Sequence, residues 1–263
     1  MDLGIKGRVA LVSGASRGLG RAVARALAQE GTWLALCARG KEGLDETAAA
    51  IVRESGTMVW TRPTDVSSRE EARRFVREAA AHYCTVDILV TNAGGPPSGT
   101  FLELSNEQWR AAVRLNFLSA VWLTQAAVPH MRKQRWGRII NMTSVSVKQP
   151  IEGLMLSNAA RAGVIGFAKT LANELAPDNI LVNNVCPAYM LTDRVRDLSK
   201  VVAAQRNVSP GDVIREWEES IPLGRLGKPE ELADLVVFLA SERATFITGT
   251  SIQIDGGYYR GIL

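Results

Sequence analysis

The sequence predicts a single α/β domain spanning residues 1–263, with a doubly wound parallel sheet of about seven strands and helices on both faces. Three observations predict it. Short aliphatic or β-branched runs alternate with longer amphipathic segments from end to end. Most of the runs are continuous rather than alternating, as expected for parallel strands buried on both faces. The first run passes directly into a glycine-rich turn and then a helical pattern.

In chain order, the strand candidates are Arg8–Ser13, Trp33–Ala38, Thr57–Thr61, Asp87–Asn92, Arg138–Met142, Ile180–Val185 and Ser251–Ile254. Helical patterns fall between them near 18–30, 42–55, 68–82, 105–134, 153–176 and 229–240. Ser68 with Glu71, and Ser105 with Gln108, have the spacing of capping boxes. Pro229 followed by Glu230 and Glu231 suits a first helical turn. Such repeated units imply right-handed crossovers. Two segments interrupt the alternation: the loop Gly94-Gly95-Pro96-Pro97-Ser98-Gly99 and a lid-like insertion near 192–222. Both follow strands, at the sheet end where open parallel sheets bind ligands. Within the insertion, Ile214, Trp217 and Ile221 share one helical face, which suits a lid packed on the body or over an apolar substrate.

Composition narrows the function. Hydrophobic residues at 46% and charged residues at 22% exclude a disordered chain. Three cysteines (Cys37, Cys84, Cys186) are too few and scattered for a disulfide framework, and no spacing suggests a metal site. Only His82 and His130 are available, which nearly excludes a histidine-based triad. A net charge of +4 is too mild for a nucleic-acid binder, and the run Arg132, Lys133, Arg135 and Arg138 reads as a solvated helix end. No signal peptide is expected at the N-terminus, and no apolar run approaches the roughly 18 residues of a membrane span. A cytoplasmic protein without membrane or nucleic-acid partners is the expectation.

The first strand leads into Ser13-Gly14-Ala15-Ser16-Arg17-Gly18-Leu19-Gly20. Glycines so spaced permit a tight turn, close approach of a pyrophosphate, and close packing of helix on strand. With this motif the chain resembles the short-chain dehydrogenase/reductase family over nearly its whole length. Further marks of the resemblance are Asp65-Val66, Asn92-Ala93-Gly94, Leu115-Asn116, Ile140 through Ser144, and Pro187-Ala188. The stretch from Ile221-Pro222-Leu223-Gly224-Arg225 through Pro229-Glu230-Glu231 to Asp255-Gly256-Gly257 looks most like 3-oxoacyl-acyl-carrier-protein reductases. Ser13, Thr91 and Ala188 are minor departures, standing where the family usually has Thr, Asn and Gly.

The resemblance implies an oxidoreductase that interconverts a carbonyl and an alcohol by hydride transfer. NADP(H) is the expected cofactor. The second strand ends at Ala38, where an acidic residue would select NAD, and Arg39 follows it. Arg39 and Arg17 suit the additional 2′-phosphate of NADP, because a guanidinium fork matches phosphate geometry. By the same resemblance Gly14, Ser16, Gly18, Leu19 and Gly20 hold the pyrophosphate turn. Asp65 and Val66 flank the adenine, Asn92, Ala93 and Gly94 line the nucleotide cleft, and Pro187 and Ala188 complete it. The long helices at 105–134 and 153–176 usually pair across a homodimer or homotetramer interface, for which Ala162, Gly163, Ile165 and Gly166 leave room.

At the catalytic positions the chain departs from its family. Asn116 and Ser144 match the family's Asn and Ser, but counting onward from Ser144 places Ser157-x-x-x-Arg161 where Tyr-x-x-x-Lys belongs. No tyrosine lies between Tyr83 and Tyr189. An aliphatic hydroxyl is a far weaker acid than a phenol and cannot reach as far. Loss of a positioned general acid removes a factor of about 10²–10⁴. Four alternatives stand open: a water relay through Asn116 and Arg161, a clamp by Arg161 on a substrate carboxylate or phosphate, a replacement acid (Tyr189, Lys148 or Glu152), and a non-catalytic NADP(H)-binding sensor or assembly partner. The substrate is expected to be a small carbonyl or alcohol compound, lipid-like or acidic.

Overall fold

The computed structural model describes residues 2–262. Its seven strands form one parallel sheet in the order β3-β2-β1-β4-β5-β6-β7. They are β1 (Val9–Ser13), β2 (Trp33–Ala38), β3 (Val59–Pro63), β4 (Ile88–Thr91), β5 (Gly137–Met142), β6 (Ile180–Pro187) and β7 (Ser251–Ile254). The expected fold class is therefore observed. The chain runs outward from β1 through β3, then returns to place β4 on the other side of β1. The loops leaving β1 and β4 diverge at this reversal and open a crevice at the carboxyl end of the sheet.

Helices α1 (Gly18–Gln29), α2 (Lys41–Ser55) and α9 (Pro229–Ala240) cover one face, burying Val23, Leu27, Leu44, Ile51, Leu232 and Val236 against Val12, Leu34 and Val90. On the other face, α3 (Arg69–Tyr83), α5 (Ser119–Gln134) and α6 (Met155–Leu175) bury Phe75, Val76, Leu123, Met131, Ala168 and Leu175 against Leu11, Leu89 and Ile139. All three predicted helix starts are present, Pro229 opening α9. Ser68 accepts the Glu71 amide, and Ser105 forms a reciprocal capping box with Gln108 at α4 (Asn106–Val113). The insertion folds as α7 (Asp193–Arg206) and α8 (Pro210–Ser220), joined by a third apolar cluster of Ala203, Val213, Trp217, Ile221 and Leu226.

Three expectations need correction. Strand β3 begins at Val59 rather than Thr57, because Val59 pairs with Leu34 while the Thr57 hydroxyl bonds the Thr32 carbonyl. Pro63 is tolerated in β3 because that strand is a sheet edge. The helix expected over 105–134 is divided by a π-helical turn at Arg114–Leu118. Taken as one rod, Asn106–Gln134 is long and apolar enough to cross a membrane by length and composition, although polar residues break its apolar runs. Its Leu123, Ala127 and Met131 pack in the core.

The third correction concerns Arg138. It is 1% exposed on β5, not part of a solvated helix end. Its guanidinium lies 4.2 Å from the centre of the Trp136 ring, and Arg8 lies over the same ring at 3.9 Å. Glu242 approaches Arg138 at 3.6 Å and Arg8 at 3.7 Å, and accepts a bond from the Trp136 indole. Burial still lowers the Arg138 pKa to about 10.

Candidate active site

The glycine-rich turn is locked to the end of β4. Ser13 Oγ donates to the Asn92 carbonyl and accepts the Asn92 amide, both at 2.8 Å. Asn92 Nδ2 donates to the Gly14 carbonyl at 3.2 Å. A side chain on Gly14 would stand 2.7 Å from Asn92 Nδ2, and one on Gly20 would be driven into the Gly14 carbonyl oxygen. Glycine is required here by space, so the N-terminus of α1 lies directly against the turn. Ser16 is fixed by its carbonyl, which accepts from Arg21 and from Thr47. Arg17 is the N-terminal cap residue of α1, and both Arg17 and Arg39 are exposed. Asp65 and Val66 follow β3, where Asp65 accepts from the amide and hydroxyl of Ser67. Beyond β6, Ala188 donates its amide to Ile254, and Thr192 caps α7 in contact distance of Gly18. A cleft of about 190 Å³ separates Gly18 and Arg21 from Thr192, Arg196 and Glu230.

Asn116 occupies the centre of the π turn. Its Nδ2 donates to the Gly94 carbonyl at 2.8 Å, whereas its buried Oδ1 has no protein donor. Ser144 begins a short 3-10 turn after β5, and its Oγ accepts the Ser146 amide at 3.1 Å. No acceptor among the described residues takes the Ser144 hydroxyl proton.

Ser157 and Arg161 stand one turn apart on α6, and Arg161 Nε donates to Ser157 Oγ at 3.1 Å. The rest of the guanidinium turns inward. Nη1 donates to the carbonyls of Met142 at 2.9 Å and Thr143 at 3.1 Å, and Nη2 donates to Ala93 at 3.4 Å. Four of the five N–H donors of the group are spent, leaving one on Nη2. Burial, then the neighbouring Arg194, push the Arg161 pKa down to about 10, so the group remains cationic at neutral pH. A small internal cavity, with room for about one water, lies between Thr91, Asn116, Asn141 and Arg161.

The replacement acids proposed from sequence fare unequally. Tyr189 stacks on Trp217 at 4.6 Å and meets the Tyr258 ring edge-on at 5.5 Å within the lid cluster. Burial, reinforced by Tyr258, raises its pKa further and makes it a poorer acid. Lys148 ends the turn begun by Ser144 and lies 5.9 Å from the Tyr259 ring centre. Glu152 is exposed. Among the described residues, no group of three His, Cys, Asp or Glu side chains is placed to hold a metal.

Sequence reasoning missed several supporting residues. Thr91 donates to Asn141, Asn141 to Asn184, and Asn184 to Ser251, forming a polar ladder across four adjacent strands. Cys186 sits behind Ser144. Thr143 Oγ1 gives its proton to the Val185 carbonyl, so the contact at 3.1 Å from Cys186 Sγ is donated by the thiol. Burial pushes that thiol's pKa up and keeps it neutral for this purpose. On the lid, Arg194 reaches the Pro96 carbonyl at 3.1 Å.

A family model described as enoyl-(acyl carrier protein) reductase matches residues 14–259. The 3-oxoacyl-[acyl-carrier-protein] reductase of Aquifex aeolicus is 36% identical over 259 residues, covering 98% of this chain and all of that one. The chain belongs to the short-chain dehydrogenase/reductase family. Within it, the acetoacetyl-CoA reductase of Shinella zoogloeoides is 36% identical across 96% of this chain and 98% of its own. Among solved structures, L-sorbose reductase from Gluconobacter frateurii, complexed with NADPH and L-sorbose, superposes with a TM-score of 0.95 at 34% identity over the full length of both chains. An actinorhodin polyketide ketoreductase with NADPH gives 0.92 at 34% identity, over 96% of this chain and 97% of that one.

Proposed function

We propose that this family member is an NADP(H)-dependent oxidoreductase that interconverts a carbonyl and an alcohol, with its proton supplied through water rather than by a tyrosine. The observation that carries the reading is the uncommitted Ser144 hydroxyl, at the same sheet end as the glycine cradle. The cradle fits a dinucleotide: any side chain on Gly14 or Gly20 would fill it, and it sits at a helix N-terminus. When bound, NADP(H) supplies or accepts the hydride. Arg17 and Arg39, exposed at the two neighbouring strand ends, are assigned to the 2′-phosphate.

The protein's own residues then do the following. Ser144 donates to the substrate oxygen and orients it. Asn116 presents an unpaired acceptor, and Arg161 keeps one unspent donor, on the two sides of a one-water cavity. A water held there connects the site to a proton reservoir without a phenol at position 157. The lid cluster around Tyr189 and Trp217 closes an apolar wall over the substrate. We assign the family's homodimer or homotetramer to this chain as well, through the exposed Ala162, Gly163 and Gly166 of α6, a proposal that sedimentation at graded concentration tests directly.

The deciding experiment follows NADPH absorbance with a panel of ketones and quinones in wild type and Ser144→Ala. Turnover is expected, reduced about 10²–10³-fold in the variant, as for loss of one donor to a developing oxyanion. Unchanged turnover in Ser144→Ala would remove that residue from the mechanism. A second reading, a non-catalytic NADP(H) sensor, is favoured by the engagement of Arg161 with three backbone carbonyls. Tight NADPH binding without turnover on any substrate would select it. In Ser157→Tyr/Arg161→Lys, restoring a phenol and an ammonium should raise kcat by about 10²–10⁴ if the scaffold is otherwise competent.

A further inference from the structure

Three cations on three different elements are linked electrostatically: Arg194 acts on Arg161 directly, and Lys148 and Arg161 both act on Cys186. Arg161 comes from α6, Lys148 from the turn after Ser144, and Arg194 from the first turns of α7. Two of them grip one short loop: Arg161 Nη2 bonds the Ala93 carbonyl and Arg194 Nη2 the Pro96 carbonyl, three residues further on. The repulsion between these two guanidiniums is one cause of the lowered Arg161 pKa.

None of the three makes an ion pair with a carboxylate among the described residues. The acids beside Arg194 on α7 are committed elsewhere, Asp193 to Arg196 at 3.3 Å and Asp197 to Lys200 at 3.0 Å. The loop is shaped to admit Arg194, since a side chain at Gly95 would stand 2.9 Å from its Nη2. Arg161 has spent most of its donors internally, but Arg194 is exposed and spends a single donor on a neutral carbonyl. A carboxylate or phosphate oxygen is the stronger partner, because the bond becomes charge-assisted and the planar fork allows two at once.

We propose that Arg194, assisted by Lys148, forms an anion-binding subsite on the lid side of the cleft, and that the substrate carries a carboxylate or phosphate that this subsite recognises. The inference rests on the carbonyl reductase reading for the identity of the site.

The test is calorimetric binding to the NADP⁺-saturated protein with two matched pairs of probes: dihydroxyacetone phosphate against dihydroxyacetone, and levulinate against methyl levulinate. At least one anion should bind about tenfold or more tightly than its neutral counterpart, the scale of one charge-assisted contact. The pair that discriminates tells phosphate from carboxylate. Arg194→Gln should reduce the preference to below about threefold, and Arg194→Lys, which keeps the charge without the fork, should fall between. Lys148→Met should reduce it by a smaller factor. Equal affinity within both pairs, no binding of either anion, or an unchanged preference in Arg194→Gln would each overturn the proposal. So would a loss of NADPH affinity in Arg194→Gln with charge preference intact, since Arg194 would then serve the cofactor. Reduction of the neutral ketones, followed by NADPH absorbance, reports separately on the reductase reading. A charge preference without any turnover would defeat that reading and leave the subsite standing.

Discussion

Replacing Arg161 by Met separates a structural tie from a free cation. The substitution keeps the apolar stem on α6 but removes bonds to Met142, Thr143, Ala93 and Ser157. The Ala93 contact at 3.4 Å is long and contributes little. The two Nη1 bonds, at 2.9 and 3.1 Å, are charge-assisted and net about 1.5–3 kcal/mol each, or about 3–6 kcal/mol together. The guanidinium is desolvated, but the residue as a whole keeps some exposure, so water entering the vacated space re-solvates part of the carbonyl set and leaves a loss of about 2–4 kcal/mol. For a chain of this length that corresponds to a fall in Tm of about 4–16 °C. Thermal melts of the cofactor-free protein, at matched protein concentration, measure it. Arg161→Lys should lie between wild type and Arg161→Met, because one ammonium reaches fewer of the three carbonyls. A Tm for Arg161→Met within about 1 °C of wild type would refute the tie and make the guanidinium available to a substrate.

Glu242→Gln leaves Arg138 buried beneath Trp136 without its carboxylate; because Glu242 is itself partly exposed, we expect a loss of about 1–2 kcal/mol, read as a lower urea midpoint. The Arg225 guanidinium, with the Lys228 amide, holds the Glu231 pKa down to about 2. A depressed carboxylate stabilises the fold above its ordinary range near 4.5 and loses that contribution as pH falls towards about 2, so the Tm gap between wild type and Glu231→Gln should be open near neutrality and close across that window. Finally, Cys84 is exposed whereas Cys37 and Cys186 are buried and their thiol pKa values raised, so a chromogenic disulfide reagent should label one thiol at once and the other two only on unfolding. Rapid labelling of a second thiol in the native protein would contradict the packing behind Ser144.

The parts of the molecule legible in the sequence are those fixed by neighbours close along the chain. Apolar and β-branched runs located the strands, β3 being read two residues early, and local spacing located the caps at Ser68 and Ser105. The glycine-rich turn was equally legible, because the space it needs is dictated by a single strand–helix junction. What escaped depends on distant partners. Arg138 looked like a solvated charge because the groups that bury it include Arg8 and Glu242, at opposite ends of the chain. The π turn that aims Asn116 has no marker in residue type, since it uses ordinary helix formers. Arg194 carried no signal either: its significance comes from Pro96 and Gly95, nearly a hundred positions earlier.

The polar ladder from Thr91 through Asn141 and Asn184 to Ser251 has a directional character. Every donor faces the same way, from β4 towards β7. Reversing it would require both amides to turn over together, so it transmits position and not protons. Side chains alternate between the two faces along each strand, so a slip of one residue would turn a rung to the opposite face of the sheet. The ladder therefore works as a ruler laid across the sheet, fixing the register of β4 to β7 relative to one another. Small trimming at its far end, as in Ser251→Ala, would be felt as a change in alignment at Thr91, beside the cavity that faces Asn116.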